Sequence, residues 1–242
     1  MSSDTLFELW VYLAATPLAG LTLTLVAYAI GWWIYSRCRM HPLANPVLLA
    51  VVLIVLALVV TGTSYQTYFA GAQFVHFLLG PAVVGLAVPL ARQWPQVRRL
   101  VVPIAAALVI GMSVAVISVV GIANLLGASP MTILSIAPKS VTAPIAMGIA
   151  QKLGGLPALA AVFAVATGIL GASVGKYVLN ACRVGDMRAR GFALGLAAHG
   201  IGTARAFQVD PEAGAFAGLA FALHGLVAAV VFPLAYLAWS LR

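Results

Sequence analysis

Three stretches of this chain, Leu100 to Val120, Leu156 to Asn180 and Ala213 to Trp239, each run for about the thickness of a bilayer with Lys176 as their only charged residue. Apolar runs of that length leave a chain little choice. In hydrocarbon every backbone N–H and C=O must find its partner inside the protein, which only helices and closed barrels achieve, and continuous rather than alternating apolar runs select helices. The chain is 63% hydrophobic and 7% charged, with a mean hydropathy of +1.09, and no water-soluble fold needs so much apolar sequence. The expected fold is an all-α polytopic membrane protein, one domain over 1–242, with about seven or eight membrane segments.

The sparse charges are placed rather than scattered. Thirteen Lys and Arg stand against five acids, a net charge of +8, and the arginines gather between apolar segments: Arg37 and Arg39; Arg92, Arg98 and Arg99; Arg183, Arg188 and Arg190. Such clusters mark cytoplasmic loops and set topology; they are not a nucleic-acid surface. Trp10 to Tyr35 is expected to be a first span, with Trp32, Trp33 and Tyr35 as an aromatic belt and the N-terminus outside. Val47 to Val60 follows, then a polar and aromatic stretch from Thr61 to Gly71 that fits an interfacial girdle. His76 to Leu90 is interrupted at Gly80-Pro81, and Phe192 to Thr203 is too short to cross alone. Cys38 and Cys182 adjoin basic clusters on the reducing side, so no structural disulfide is expected. The first residues carry Asp4 and Glu8 but no basic region, which argues against a removable leader.

Lys139 is the exception inside the apolar sequence. It lies in Ser135-Ile136-Ala137-Pro138-Lys139-Ser140-Val141-Thr142-Ala143-Pro144, bracketed by two prolines that break the helical ladder. A charge at the bilayer centre costs roughly 2.5 to 3.5 kcal/mol and survives where it meets a partner, a cavity or a substrate. A broken helix also exposes N–H groups at a half-helix start, and these with an ammonium suit a carboxylate. Snorkelling to an interface is the plainer explanation, but two prolines and three hydroxyls (Ser135, Ser140, Thr142) exceed what snorkelling needs.

A second constellation is His199-Gly200-Ile201-Gly202-Thr203-Ala204-Arg205. Gly200 and Gly202 allow a helix break, while His199, Thr203 and Arg205 offer a proton carrier, a hydroxyl and a planar carboxylate fork. A packed helix end explains the same residues nearly as well. His76 and His224 sit in apolar runs without a nearby carboxylate and read as core residues. No metal-ligand spacing, nucleotide-binding loop or nucleophile elbow occurs, so neither enzyme chemistry nor a cofactor is expected. Pro81 to Pro89 weakly echoes Pro138 to Pro144, which fits an inverted repeat of 1–120 and 121–242 and a site at the membrane midplane. If 131–150 crosses fully, Arg183, Arg188 and Arg190 fall outside, against the positive-inside rule; if it enters and returns, they face the cytoplasm.

Taken together, the Ser135 to Ala146 motif, Gly154-Gly155-Leu156-Pro157, Thr167-Gly168, Ala189-Arg190-Gly191, the His199 to Arg205 motif and Gly214-Ala215-Phe216 resemble the LrgB/CidB family over nearly the whole chain. The sequence departs from that family at Ala143, where a second threonine usually follows Thr142. The resemblance implies a multi-pass protein of a bacterial inner membrane, and it implies two functions. One is antiholin-like regulation of murein hydrolase activity and lysis with a small holin-like LrgA/CidA partner. The other is transport of glycolate, glycerate, lactate or pyruvate, as in the plastidal glycolate and glycerate transporters, with possible proton coupling. Transport accords with the cationic motif: Lys139 and Arg205 would neutralise a carboxylate, Ser135, Ser140, Thr142 and Thr203 would bind its hydroxyl or oxo group, and His199 would carry a proton. A homodimer is expected for so short a carrier chain.

Overall fold

The computed structural model describes residues 17–85 and 87–240, so the start of the first expected span, with Asp4 and Glu8, lies outside the described residues. Every described element is helical, and the contacts divide the chain into two compact units at Gly85. Four helices are long and apolar enough to cross a membrane: Leu18–Arg37, Val101–Leu125, Pro157–Ala181 and Pro211–Leu237. The chain is a helical membrane protein.

In the first unit, α1 (Pro17–Arg37), a short 3-10 turn (Pro42–Ala44), α2 (Pro46–Thr61), α3 (Tyr65–Phe77) and α4 (Leu79–Gly85) follow in order. Asn45 starts α2 by accepting from Val47 N at 2.8 Å and Leu48 N at 3.3 Å, with Pro46 in the first turn where no N–H is missed. Gly62, at φ 66°, ends it. At 16 residues α2 is shorter than a typical span. The polar and aromatic stretch after it is helical from Tyr65, and Tyr68 turns onto α1, where its OH meets Thr24 Oγ1 at 2.8 Å, while Ser64, Tyr65 and Thr67 are exposed. The next break also falls elsewhere than the Gly80-Pro81 pair implied. Helix α3 ends at Phe77 and α4 starts at Leu79, which puts Pro81 in a first turn that needs no N–H from it.

The second unit holds α5 (Ala87–Arg92), α6 (Trp94–Arg99), α7 (Val101–Leu125), α8 (Pro130–Ile136), α9 (Ala143–Leu153), α10 (Pro157–Ala181), α11 (Met187–Val209) and α12 (Pro211–Ser240). Two segments double back. After α8 the chain leaves the helix at Ala137, and after α9 it returns beside its starting point, where Leu156 N donates to Ser135 Oγ at 2.8 Å. In α11, Ala198 (φ −122°, ψ 15°) and His199 (φ 41°, ψ −132°) are non-helical. A Cβ on Gly202 would land on the carbonyl oxygen of Leu194. Eight residues of straight helix would separate those positions by about 12 Å, so the two halves of α11 fold against each other. The stretch read as a short helix over Phe192 to Thr203 is therefore the bent tip of a longer element.

Small residues let the backbones approach this closely. A Cβ on Gly191 or Gly195 would strike the carbonyl of Ala213 or Ala217 in α12, and one on Gly171 would come within 2.6 Å of Ala198 Cβ. The core around these contacts is alanine-rich: Ala146, Ala150, Ala160, Ala164, Ala220 and Ala228 are all fully buried.

Candidate functional site

The chemistry-bearing residues collect at the two bends. In the first, Lys139 N donates to Ile136 O at 3.0 Å and Val141 N to Pro138 O at 3.2 Å, so the chain after α8 makes tight turns rather than helix. Pro138, Ser140 and Val141 are buried, and Lys139 is partly so. Its ammonium donates to Ser140 Oγ at 3.2 Å and meets no carboxylate among the described residues. Thr142 occupies the N-cap of α9 without its side chain capping, and Pro144 stands in the first turn. The N–H groups of Ala143 and Ile145 thus have no partner within the helix.

Ser135 is fully buried beside the first bend. Its hydroxyl donates to Met131 O at 2.7 Å and accepts from Leu156 N at 2.8 Å, tying the end of α8 to the start of α10.

At the second bend, His199 is buried and its Nε2 lies 2.9 Å from Ala164 O in α10. A carbonyl only accepts, so Nε2 carries the proton. Gly168 makes room for the ring: a Cβ there would sit 2.8 Å from His199 Cε1. The backbone break falls on Ala198 and His199 themselves, while Gly202 serves close packing. Thr203 Oγ1, buried, donates back to His199 O at 2.8 Å. Arg205 lies further along the returning half of α11, where Nη1 donates to Gln208 Oε1 at 3.3 Å.

His224, read from the sequence as a satisfied core residue, is buried and hydrogen-bonded. From α12 its Nδ1 donates to Leu196 O at 2.8 Å, three residues before the bend at His199. The structure therefore joins Lys139 to Ser140 at the first bend and ties His224 to the second bend through Leu196, three residues before His199. Ser135 and Thr203 brace the bends. The described residues contain no group of three or more His, Cys, Asp or Glu able to hold a metal ion.

At the base of α11, outside the apolar region, Asp186 accepts from Arg188 N at 2.8 Å and from Arg188 Nη2 at 2.6 Å. Those hydrogen bonds hold its carboxyl at about 2, below the usual carboxylate value.

The LrgB-like family model matches residues 24–238. The chain belongs to the LrgB family. Among relatives in that family, YxaC of Bacillus subtilis is 35% identical over 88% of this chain and 92% of its own length. A protein named holin-like protein CidB from Staphylococcus epidermidis is 31% identical, over 87% of this chain and 92% of its own. One named antiholin-like protein LrgB, from Bacillus cereus, is 30% identical over 90% and 95%. No solved structure matches this LrgB-family chain.

Proposed function

We propose that this LrgB-family protein is a membrane carrier for a small monocarboxylate such as glycolate, glycerate, lactate or pyruvate, with its site between the two bends. The observation that carries this reading is Lys139: a partly buried cation, beside uncapped N–H groups and without an acid to neutralise it. A carboxylate supplies what that arrangement lacks. Ser140 and Thr142 would bind its oxo or hydroxyl group, Arg205 would attract it along the path, and His199 would couple a proton.

The course of the chain supports alternating access. The bend containing Lys139 has its base between the end of α7 and the start of α10; the bend containing His199 has its base between the end of α10 and the start of α12. Helix α10 has 25 residues, about 37 Å, and joins the two bases from opposite ends. We read them as two re-entrant hairpins entering from opposite membrane faces, tips meeting near the midplane, as in repeat-built transporters. On this reading α7 starts, and α10 ends, on one face, so Arg98, Arg99, Arg183, Arg188 and Arg190 share the cytoplasmic side.

The relatives' names favour a second reading, in which the protein regulates murein hydrolase activity and lysis with a small holin-like partner. The two separate in proteoliposomes of purified wild type and Lys139→Ala, supplied from outside with radiolabelled glycolate or pyruvate, with and without an inward proton gradient. Saturable uptake lost in the variant supports the carrier. Absence of uptake by folded protein, together with a lysis phenotype that Lys139→Ala leaves unchanged, supports the regulator.

A further inference from the structure

A groove of about 520 Å³ opens between α7 and the first half of α11. Its walls are apolar: Pro103, Ile104, Ala107 and Ile110 face Phe192 and Leu196, and only Asp186 and Arg188 at the mouth are charged. The length of the groove is informative. Gly111 and Leu196 meet at its inner end, since a Cβ on Gly111 would strike Leu196 Cδ2. They lie ten and nine residues from the starts of their helices. At 1.5 Å per residue that is about 15 Å, half the thickness of a bilayer's hydrocarbon core. The groove thus runs from headgroup level to the midplane, the span of a single acyl chain.

The mouth has the complementary charge. Arg98 and Arg99 immediately precede Leu100, which lines the groove; both are exposed and neither meets an acid among the described residues. Arg188 lines the groove with Asp186 as its partner, so the two arginines beside Leu100 leave this end net positive. Basic side chains between membrane helices at headgroup depth bind anionic lipid phosphates. We propose that this groove is a binding site for an anionic phospholipid such as phosphatidylglycerol, one acyl chain lying between α7 and α11 and the phosphate between Arg98 and Arg99. The proposal stands whether or not the protein carries an organic anion.

Native mass spectrometry of the purified protein, titrated with phosphatidylglycerol, phosphatidylethanolamine and phosphatidylcholine, tests it. The wild type should hold phosphatidylglycerol, and Ala107→Trp, which fills the groove, should lose it. Ala106→Trp, on the same helix but outside the lining, should keep it and controls for helix disturbance. Each arginine near the membrane surface contributes about a fivefold preference, so Arg98→Gln with Arg99→Gln should lower phosphatidylglycerol binding about 30-fold and leave phosphatidylcholine unchanged. Equal binding of the three lipids by the wild type overturns the proposal. If Ala107→Trp does not fold, photolabelling of the wild type with a diazirine-tailed phosphatidylglycerol decides: labels on Ala107, Ile110 or Leu196 support the site, and labels spread over the other lipid-facing helices sink it.

Discussion

His224 Nδ1 donates to the carbonyl oxygen of Leu196 across 28 residues of sequence, at 2.8 Å, and so ties α12 to the half-helix that leads into the bend at His199. Removing the donor takes away a buried hydrogen bond between two helices, a loss of about 1 kcal/mol. His224→Ala should therefore lower the unfolding midpoint in detergent, and His224→Asn, whose amide also donates, should restore part of the loss. Equal stability of the alanine variant and the wild type would mean that the bend holds itself.

Ser135 offers a similar test with a sharper contrast. Its hydroxyl already donates to Met131 O and accepts from Leu156 N, so Ser135→Ala should cost about 1 to 3 kcal/mol of stability by stranding the Leu156 N–H. If the protein is a carrier, the substrate concentration at half-maximal uptake should stay near the wild-type value while the amount of folded protein falls. A raised half-saturation with normal stability would place Ser135 in the substrate site instead.

The first bend was legible in the sequence because Pro138 and Pro144 announce it locally: neither can serve a helix interior, and a lysine between them needs a reason. The second bend was only half legible. Gly200 and Gly202 marked the right place, but the strained torsions fall on Ala198 and His199, and the fold-back along Leu194 depends on packing that no local pattern encodes. His224 read as a satisfied core residue and is one, buried with a hydrogen-bond partner, but which partner it meets was not legible. That partner is a backbone carbonyl in another helix, and a histidine in an apolar run carries no sign of it. Similarly, nothing local in the sequence of α3 announced that Tyr68 would turn onto Thr24 of α1. Length and hydropathy, by contrast, placed α7, α10 and α12 to within two residues, except at the end of α7, which runs on to Leu125.

Gly168 shows how little space the second bend allows. A methyl group there would stand 2.8 Å from both His199 Cε1 and Ile201 Cδ1, so the ring must move off Ala164 O or the helices must part. Gly168→Ala should destabilise the protein by about 1 to 3 kcal/mol, the usual range for overpacking. A paired Gly168→Ala and Ile201→Val protein, which relieves one of the two clashes, should recover part of that loss in a thermal melt. No recovery would show that the histidine contact alone sets the limit.

Asp186 supplies the pH test, because it lies at the exposed start of α11. Its carboxyl accepts from Arg188 N and pairs with the Arg188 guanidinium, and its value in the folded protein is lowered from 3.8 to about 2. A lowered folded value means that the carboxylate form stabilises the fold. The contribution is complete above the ordinary value of 3.8 and is lost as the pH falls through that value towards about 2. Solvent screening at this exposed pair keeps the ionic part small. The cap is the larger share: Asp186→Ala should cost about 1 kcal/mol at neutral pH, and Asp186→Asn, itself a good N-cap, much less. The decisive comparison is the acid limb of the melting curve between pH 5 and 2. If Asp186→Asn falls as steeply as the wild type there, the acid sensitivity comes from another group, and Asp186 acts as a cap whose charge is incidental.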